Sequence, residues 1–234
     1  MRYRFYKWFW SAIDLLFPPK CAGCNVPGTR WCQDCHEKVS RILPPYCDIC
    51  GQHLTISGIC VHCKENPPRI CGVRSWAWFK GPVRSALHRL KYQRDIALGD
   101  VFTDSLIEVF DDSGWQVDLI TPVPLGVARQ KERGYNQASL LARPIALKMK
   151  MPYLPVALIR TRETLSQIEL SRKQRQENVA GAFQARSADV LGKSVLVVDD
   201  VATSGSTLDS CADALFLAGA AKVFGLTLAR AEFP

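Results

Sequence analysis

Two common nucleotide-binding signatures are missing from this 234-residue chain. A Gly-x4-Gly-Lys-Ser/Thr run is absent: its nearest lookalike, Gly192-Lys193-Ser194, has Ser187 where the first glycine belongs, and it precedes an apolar run instead of following one. No GxGxxG opens a helix. Both absences exclude the standard routes to a bound nucleotide phosphate. Long apolar runs are also missing. Residues 1–17, MRYRFYKWFWSAIDLLF, are interrupted by Asp14 and fall short of the roughly 20 apolar residues that span a bilayer. They carry no small-residue cleavage site of the secretory type. The plain reading is a short helix packed on the body, and the alternative is an aromatic, basic helix lying on a membrane surface.

Hydrophobic residues make up 47% of the chain, enough to fill the core of one ordinary domain with a small module beside it. Ten cysteines without a leader point to the cytoplasm, where thiols stay reduced and available to metal. The formal charge of +8 is unevenly placed. Residues 1–72 carry nine Lys/Arg against five Asp/Glu, and thiolates bound to two zinc ions would bring that part near neutral. Positions 129–186 hold twelve basic and four acidic residues, so the excess lies in one stretch and does not by itself argue for nucleic acid.

Four CxxC pairs stand between residues 21 and 63: Cys21/Cys24, Cys32/Cys35, Cys47/Cys50 and Cys60/Cys63. Each is a knuckle that sets two sulfurs on one tetrahedral ion, and four knuckles make two four-cysteine sites. Zinc is the expected metal, structural because no coordination position stays open. Neighbouring knuckles are the favoured pairing, with an interleaved arrangement left open. His36 and His62 are surplus to complete sites and read as surface residues. Cys71 falls outside the rhythm and reads as a half-buried thiol, Cys211 as a core residue. So small a module needs metal for its folding energy.

After a linker at Asn66-Pro67-Pro68, alternation in residues 73–79 predicts a strand. A helix is expected from Gly81 to about Tyr92 with Leu87 and Leu90 inward, then another from about Leu98 to Phe110. DLITPV, 118–123, reads as a second strand. Beyond Pro124, Arg129, Lys131 and Arg133 crowd a turn ending at Gly134, and Asn136 can cap a helix from about Gln137. Cations and backbone amides behind a strand make an anion site, with a solvated basic loop as the bland alternative. Pro144 is expected to kink that helix. Residues 155–160 read as a third strand, 160–183 as a polar, basic lid, and 223–229 as the last strand.

VLVVDDVATSGSTL, residues 195–208, organises the chain. It reads as a buried strand, two acids, a small-residue loop and a helix, placed where open parallel sheets bind ligands. Small residues let backbone N–H groups approach an anion at a helix N-terminus. Asp199 and Asp200 would repel a phosphate unless they hold something else, and ribose hydroxyls suit them.

This stretch resembles the phosphoribosyl pyrophosphate (PRPP) loop of type I phosphoribosyltransferases. LGVARQKERGYNQASLLA, 125–142, resembles the RGFNQA signature of the ComF family, with Tyr135 in place of phenylalanine. Arg162, Thr164, Gln167, Leu170, Arg175, Asn178 and Val179 are similar to that family's hood segment. The resemblance implies an α/β domain at 69–234, with a mostly parallel sheet of about five strands and helices on both faces. A double zinc ribbon at 20–68 and a helical segment at 1–19 precede it. It implies PRPP bound by Asp199, Asp200, Ala202, Thr203, Ser204, Gly205, Ser206 and Thr207. Arg129 and Arg133 fall on pyrophosphate, and Arg162, Gln167 and Arg175 close from the hood as catalytic residues. Mg²⁺ would accompany PRPP. The implied activity is phosphoribosyl transfer to an unnamed acceptor. The rival is a PRPP- or single-stranded-DNA-binding partner of DNA-uptake machinery, with Trp31 and Tyr46 as exposed aromatics.

Overall fold

The computed structural model describes Tyr3, residues 18–163 and residues 172–232. The expected N-terminal helix lies outside these, apart from Tyr3, whose hydroxyl donates to Asp100.

Four parallel strands form the main sheet in the order β1-β6-β5-β2: β1 Gly72–Trp78, β2 Leu119–Pro122, β5 Ser194–Ala202 and β6 Lys222–Arg230. Side chains alternate across a strand, and β5 shows why both faces are covered. Leu196 and Val198 enter one core with Trp76, Phe102, Leu141 and Ile145. Val195 and Val197 enter the other with Leu208, Cys211, Leu215 and Val223. The first face is packed by α3 (Gly81–Tyr92), α4 (Leu98–Val101), α5 (Thr103–Asp112) and α7 (Gln137–Met149). The second is packed by α10 (Ser206–Leu217), backed by α8 (Arg172–Val179).

The expected third strand is real but stands apart. β3 (Leu158–Arg160) pairs antiparallel with β4 (Phe183–Ala185) in a separate ribbon, so among the described residues the main sheet has four strands where about five were expected. This ribbon packs on α10, and residues 161–182 lie between its two strands in sequence. The expected 98–110 helix is two helices that meet at Phe102, itself buried against Trp76 with ring centroids 5.8 Å apart.

Pro144, the expected kink, lies inside α7, which runs on to Met149. Proline has no N–H to give the carbonyl four residues back. That carbonyl, on Leu140, is approached closely by Gly99, where a Cβ would lie 2.4 Å from the oxygen. Only glycine admits this contact between α4 and α7. Leu87 and Leu90 point inward from α3 as expected, each 1% exposed, and Cys211 is fully buried. Cys71 is exposed, against the half-buried reading, because it precedes the edge strand β1.

Among the described residues, no helix is long and apolar enough to cross a membrane.

Candidate functional site

The cysteines assemble from neighbouring knuckles: Cys21, Cys24, Cys32 and Cys35 in one cluster, Cys47, Cys50, Cys60 and Cys63 in the other, with the sulfurs of each within 4.8 Å of one another. Separations of 3.5 Å (Cys21–Cys32), 3.6 Å (Cys24–Cys32) and 3.8 Å (Cys50–Cys60) match the roughly 3.8 Å edge of a zinc tetrahedron with 2.3 Å bonds. Both clusters use one hydrogen-bond pattern. The third cysteine caps a short helix, α1 (Gln33–Glu37) or α2 (Val61–Glu65), by accepting from the fourth cysteine's N–H. The first cysteine's sulfur accepts from the third's N–H. Burial works against the Cys21 and Cys47 thiolates, but these and neighbouring backbone donors outweigh it and lower them to about 6 and about 7. Each donor set suits zinc.

The clusters dock differently. Arg89 of α3 donates to the carbonyls of Lys20 and Cys21, and Ala22 is part of the main core. Arg230, at the end of β6, donates to the carbonyl of Cys50, while Val73 N–H of β1 reaches Ile49. The two aromatics suggested for DNA stacking are engaged internally. Trp31 is half-buried and edge-on to Phe102 at 5.0 Å, and Tyr46 lies under the Arg74 guanidinium at 4.4 Å. His36 is exposed, as expected, beside Trp76; His62 is half-buried and has a polar or ring contact of its own.

The second constellation lies at the carboxyl ends of the adjacent strands β5 and β2. Asp199 and Asp200 stand inside β5, followed by Ala202, the last strand residue, and then Thr203, Ser204 and Gly205. Gly205 takes the left-handed conformation (φ 83°) and caps α10, whose first residues are Ser206 and Thr207. The Ser204 and Ser206 hydroxyls meet at 2.8 Å. Thr203 to Thr207 are half-buried and line the entrance to α10.

The two acids are not equivalent. Asp200 is 5% exposed and forms an ion pair with Lys91 of α3 at 2.5 Å. Burial raises its pKa, but Lys91 overrides this and holds it below the usual range. Lys91 is pushed down by burial and up, past its ordinary value, by Asp200. Asp199 is half-buried on the α10 side and is raised well above the usual carboxylate range, by burial and then by the charge on Asp200. Lys91 was not among the sequence candidates. It sits in the last turn of an ordinary amphipathic helix, and its single signal there is a lysine beside inward-facing Leu90.

Behind β2, α6 (Val127–Arg133) carries Arg129 and Arg133. Arg133 lies over the Tyr92 ring at 5.3 Å, donates to Gln137, and contributes to holding Asp200 ionised. Burial and the neighbouring Arg129 charge lower the pKa of Arg160, at the end of β3, while Glu163, Cys211 and Asp199 oppose them. Glu163 is a second residue the sequence did not single out. Its carboxylate accepts from Ala128 N–H at 3.1 Å and fills the space where a Cβ on Gly126 would lie 2.4 Å away. A Cβ on Gly126 would have to displace that carboxylate from the start of α6.

Of the hood candidates, Arg162 donates to the carbonyls of Asn178 and Ala180 at the end of α8. Arg175 lies within α8, and Gln167, Thr164 and Leu170 lie outside the described residues. Asn136 caps α7 as expected by accepting from Ala138 N–H, and Tyr135 donates from its hydroxyl to Leu90 O at 2.5 Å.

A pair of four-cysteine clusters set against a parallel sheet that ends in two acids and a small-residue loop defines a class, and comparison with known families agrees. Residues 12–64 match the double zinc ribbon domain, and residues 135–231 match the phosphoribosyl transferase domain. The chain is 32% identical over 219 residues to the DNA utilization protein YhgH of Escherichia coli, covering 89% of this chain and 96% of that one. It is 27% identical over 234 residues to the competence protein ComFC of Bacillus subtilis, covering 94% and 89%. Competence protein F of Haemophilus influenzae is 29% identical over 224 residues, covering 91% and 97%. The chain belongs to the ComF family.

Proposed function

We propose that the protein binds PRPP at the carboxyl end of β5 and transfers its phosphoribosyl group with release of pyrophosphate. The observation that carries this reading is the convergence, at the ends of two adjacent parallel strands, of the half-buried acid Asp199, the small-residue loop 203–207 and the cations Lys91, Arg133 and Arg160. Asp199 accepts from the ribose hydroxyls; Thr203 to Thr207 and the start of α10 take the 5-phosphate. Arg129 and Arg133 take the pyrophosphate, and Arg162, Gln167 and Arg175 close from the hood. In the transfer, the bond from the anomeric carbon to pyrophosphate breaks, the electron pair leaves with pyrophosphate, and the acceptor's lone pair forms the new bond. The protein's share is to neutralise the leaving group in place before the bond breaks. Mg²⁺ supplies further positive charge to the leaving group when bound, and the half-buried Asp199 carboxylate suits its water shell.

The test is calorimetric titration of PRPP, with Mg²⁺, into wild type and the double variant Asp199→Asn/Asp200→Asn. The charge-assisted acceptor supplied by Asp199 is worth roughly 1.5–3 kcal/mol. PRPP affinity is expected to fall at least about tenfold, while inorganic phosphate binds as well or better. Unchanged PRPP affinity sinks the ribose assignment. Pyrophosphate release with a panel of acceptors then separates an enzyme from a binding protein.

A second reading, handling of single-stranded DNA during uptake, is favoured by the names of the relatives, DNA utilization and competence. Internal engagement of Trp31 and Tyr46 moves any stacking elsewhere. Steeply salt-dependent DNA binding without pyrophosphate release is the outcome that selects it.

A further inference from the structure

The last turn of α3 reaches the strand-end site through Lys91. The lysine's side chain is 22% exposed and the Asp200 side chain it pairs with is 7% exposed. The turn is held from the other side as well. The Tyr135 hydroxyl is bonded to the carbonyl of Leu90, and Arg133 covers the ring of Tyr92. The residues flanking Lys91 on α3 are thus both tied to the turn that carries the basic residues.

Neighbouring residues on a strand project to opposite faces. Asp200 turns to α3 and its lysine. Asp199 turns to α10, where Cys211 and Arg160 are its electrostatic neighbours. One acid is therefore committed within the protein and the other is left to a ligand. Two like charges at the mouth of a phosphate site would repel the ligand that the site is built to hold. A fixed ammonium next to one of them removes that repulsion at short range.

We propose that Lys91 is a positioning residue of the PRPP site. It binds Asp200 and cancels its charge, so that Asp199 alone meets the ribose and the anionic groups enter an electrically balanced strand end. This rests on the reading of β5 as the PRPP site. The groups facing the ammonium are Asp200, Asp199 and Tyr92, and Arg133, over the Tyr92 ring, also acts on Asp200.

The experiment titrates PRPP and, separately, inorganic pyrophosphate into the full chain with zinc bound, for wild type, Lys91→Met, Lys91→Arg, Asp200→Asn and Lys91→Met/Asp200→Asn. Lys91→Met leaves Asp200 uncompensated, and pyrophosphate affinity should fall about tenfold or more. Lys91→Arg should recover most of that loss. The double variant, balanced again, should return to within about threefold of wild type. Asp200→Asn alone leaves an unbalanced cation and should bind pyrophosphate several-fold tighter than wild type. This last comparison decides the matter even if Lys91→Met does not fold, which melting temperature and zinc content report. An Asp200→Asn variant that binds pyrophosphate no tighter than wild type overturns the proposal. So does a double variant as weak as Lys91→Met, since Lys91 would then be touching the ligand directly. Wild-type protein that binds neither PRPP nor pyrophosphate removes the PRPP reading itself and this inference with it.

Discussion

The two cysteine clusters and the strand-end constellation solve opposite problems. Each cluster presents four sulfurs at metal spacing, with backbone N–H groups already turned toward them. Four thiolates that close together are suited to a shared metal ion. The strand-end groups satisfy one another: Lys91 with Asp200, and Glu163 with the start of α6. A centre that needs its ligand to fold can be left incomplete. On the PRPP reading proposed above, the strand end has to be stable when empty, which fits charges that are balanced internally.

Metal removal should break this contrast most visibly. Chelation is expected to unfold the cysteine module, because structural zinc contributes roughly 10–16 kcal/mol of apparent binding energy in small domains. Elemental analysis should give about two zinc ions per chain. Protease resistance of the module that survives chelation would show that it folds without metal.

Next in size are the two acids taken singly. Asp200→Asn breaks a buried ion pair and should lower stability by about 3 kcal/mol. Because its folded pKa is depressed, the contribution of Asp200 is present above the unfolded value near 3.9 and lost as pH falls through the folded value. The opposite holds for Asp199: its folded pKa is raised, so the native state resists its ionisation and stability declines as pH rises above about 3.9. Asp199→Asn should therefore raise the melting temperature at neutral pH, and melting curves of both variants from pH 3 to 8 give the signs.

A smaller effect is expected from alanine at both Arg129 and Arg133. PRPP affinity should drop about tenfold or more, or at least about 1.4 kcal/mol, with much less change for ribose 5-phosphate. Equal losses for the two ligands would place these arginines elsewhere than on pyrophosphate. The smallest change should follow Glu163→Gln, which keeps shape and removes the internal anion. Pyrophosphate should bind about twofold to fivefold tighter, by roughly 0.5–1 kcal/mol, as read by calorimetry.

The sequence made the metal sites legible because their signal is local: two cysteines per knuckle, four knuckles in order. The same is true of β5 and its loop, where a valine run, two acids and small residues are consecutive. Lys91 escaped because nothing near it in sequence marks a partner; Asp200 arrives from β5, far along the chain. Glu163 escaped for the same reason, since the gap it fills belongs to Gly126. The placement of β3 was illegible because three residues with one buried side chain fit a main-sheet edge as well as a ribbon. Trp31 illustrates the converse: an aromatic beside zinc ligands reads as a stacking surface until Phe102 is found against it.

Three consecutive residues of α3 face three different duties. Arg89 holds the first cysteine cluster by its carbonyls, Leu90 receives the hydroxyl of Tyr135, and Lys91 reaches Asp200. A single helical turn is thus common to the metal module and to the strand end. Thermodynamic reciprocity then governs both. If occupancy at the strand end shifts this turn enough to alter zinc affinity by some factor, zinc must alter the strand end's affinity by the same factor. Dye competition for zinc, with and without pyrophosphate, would read that exchange from the metal's side.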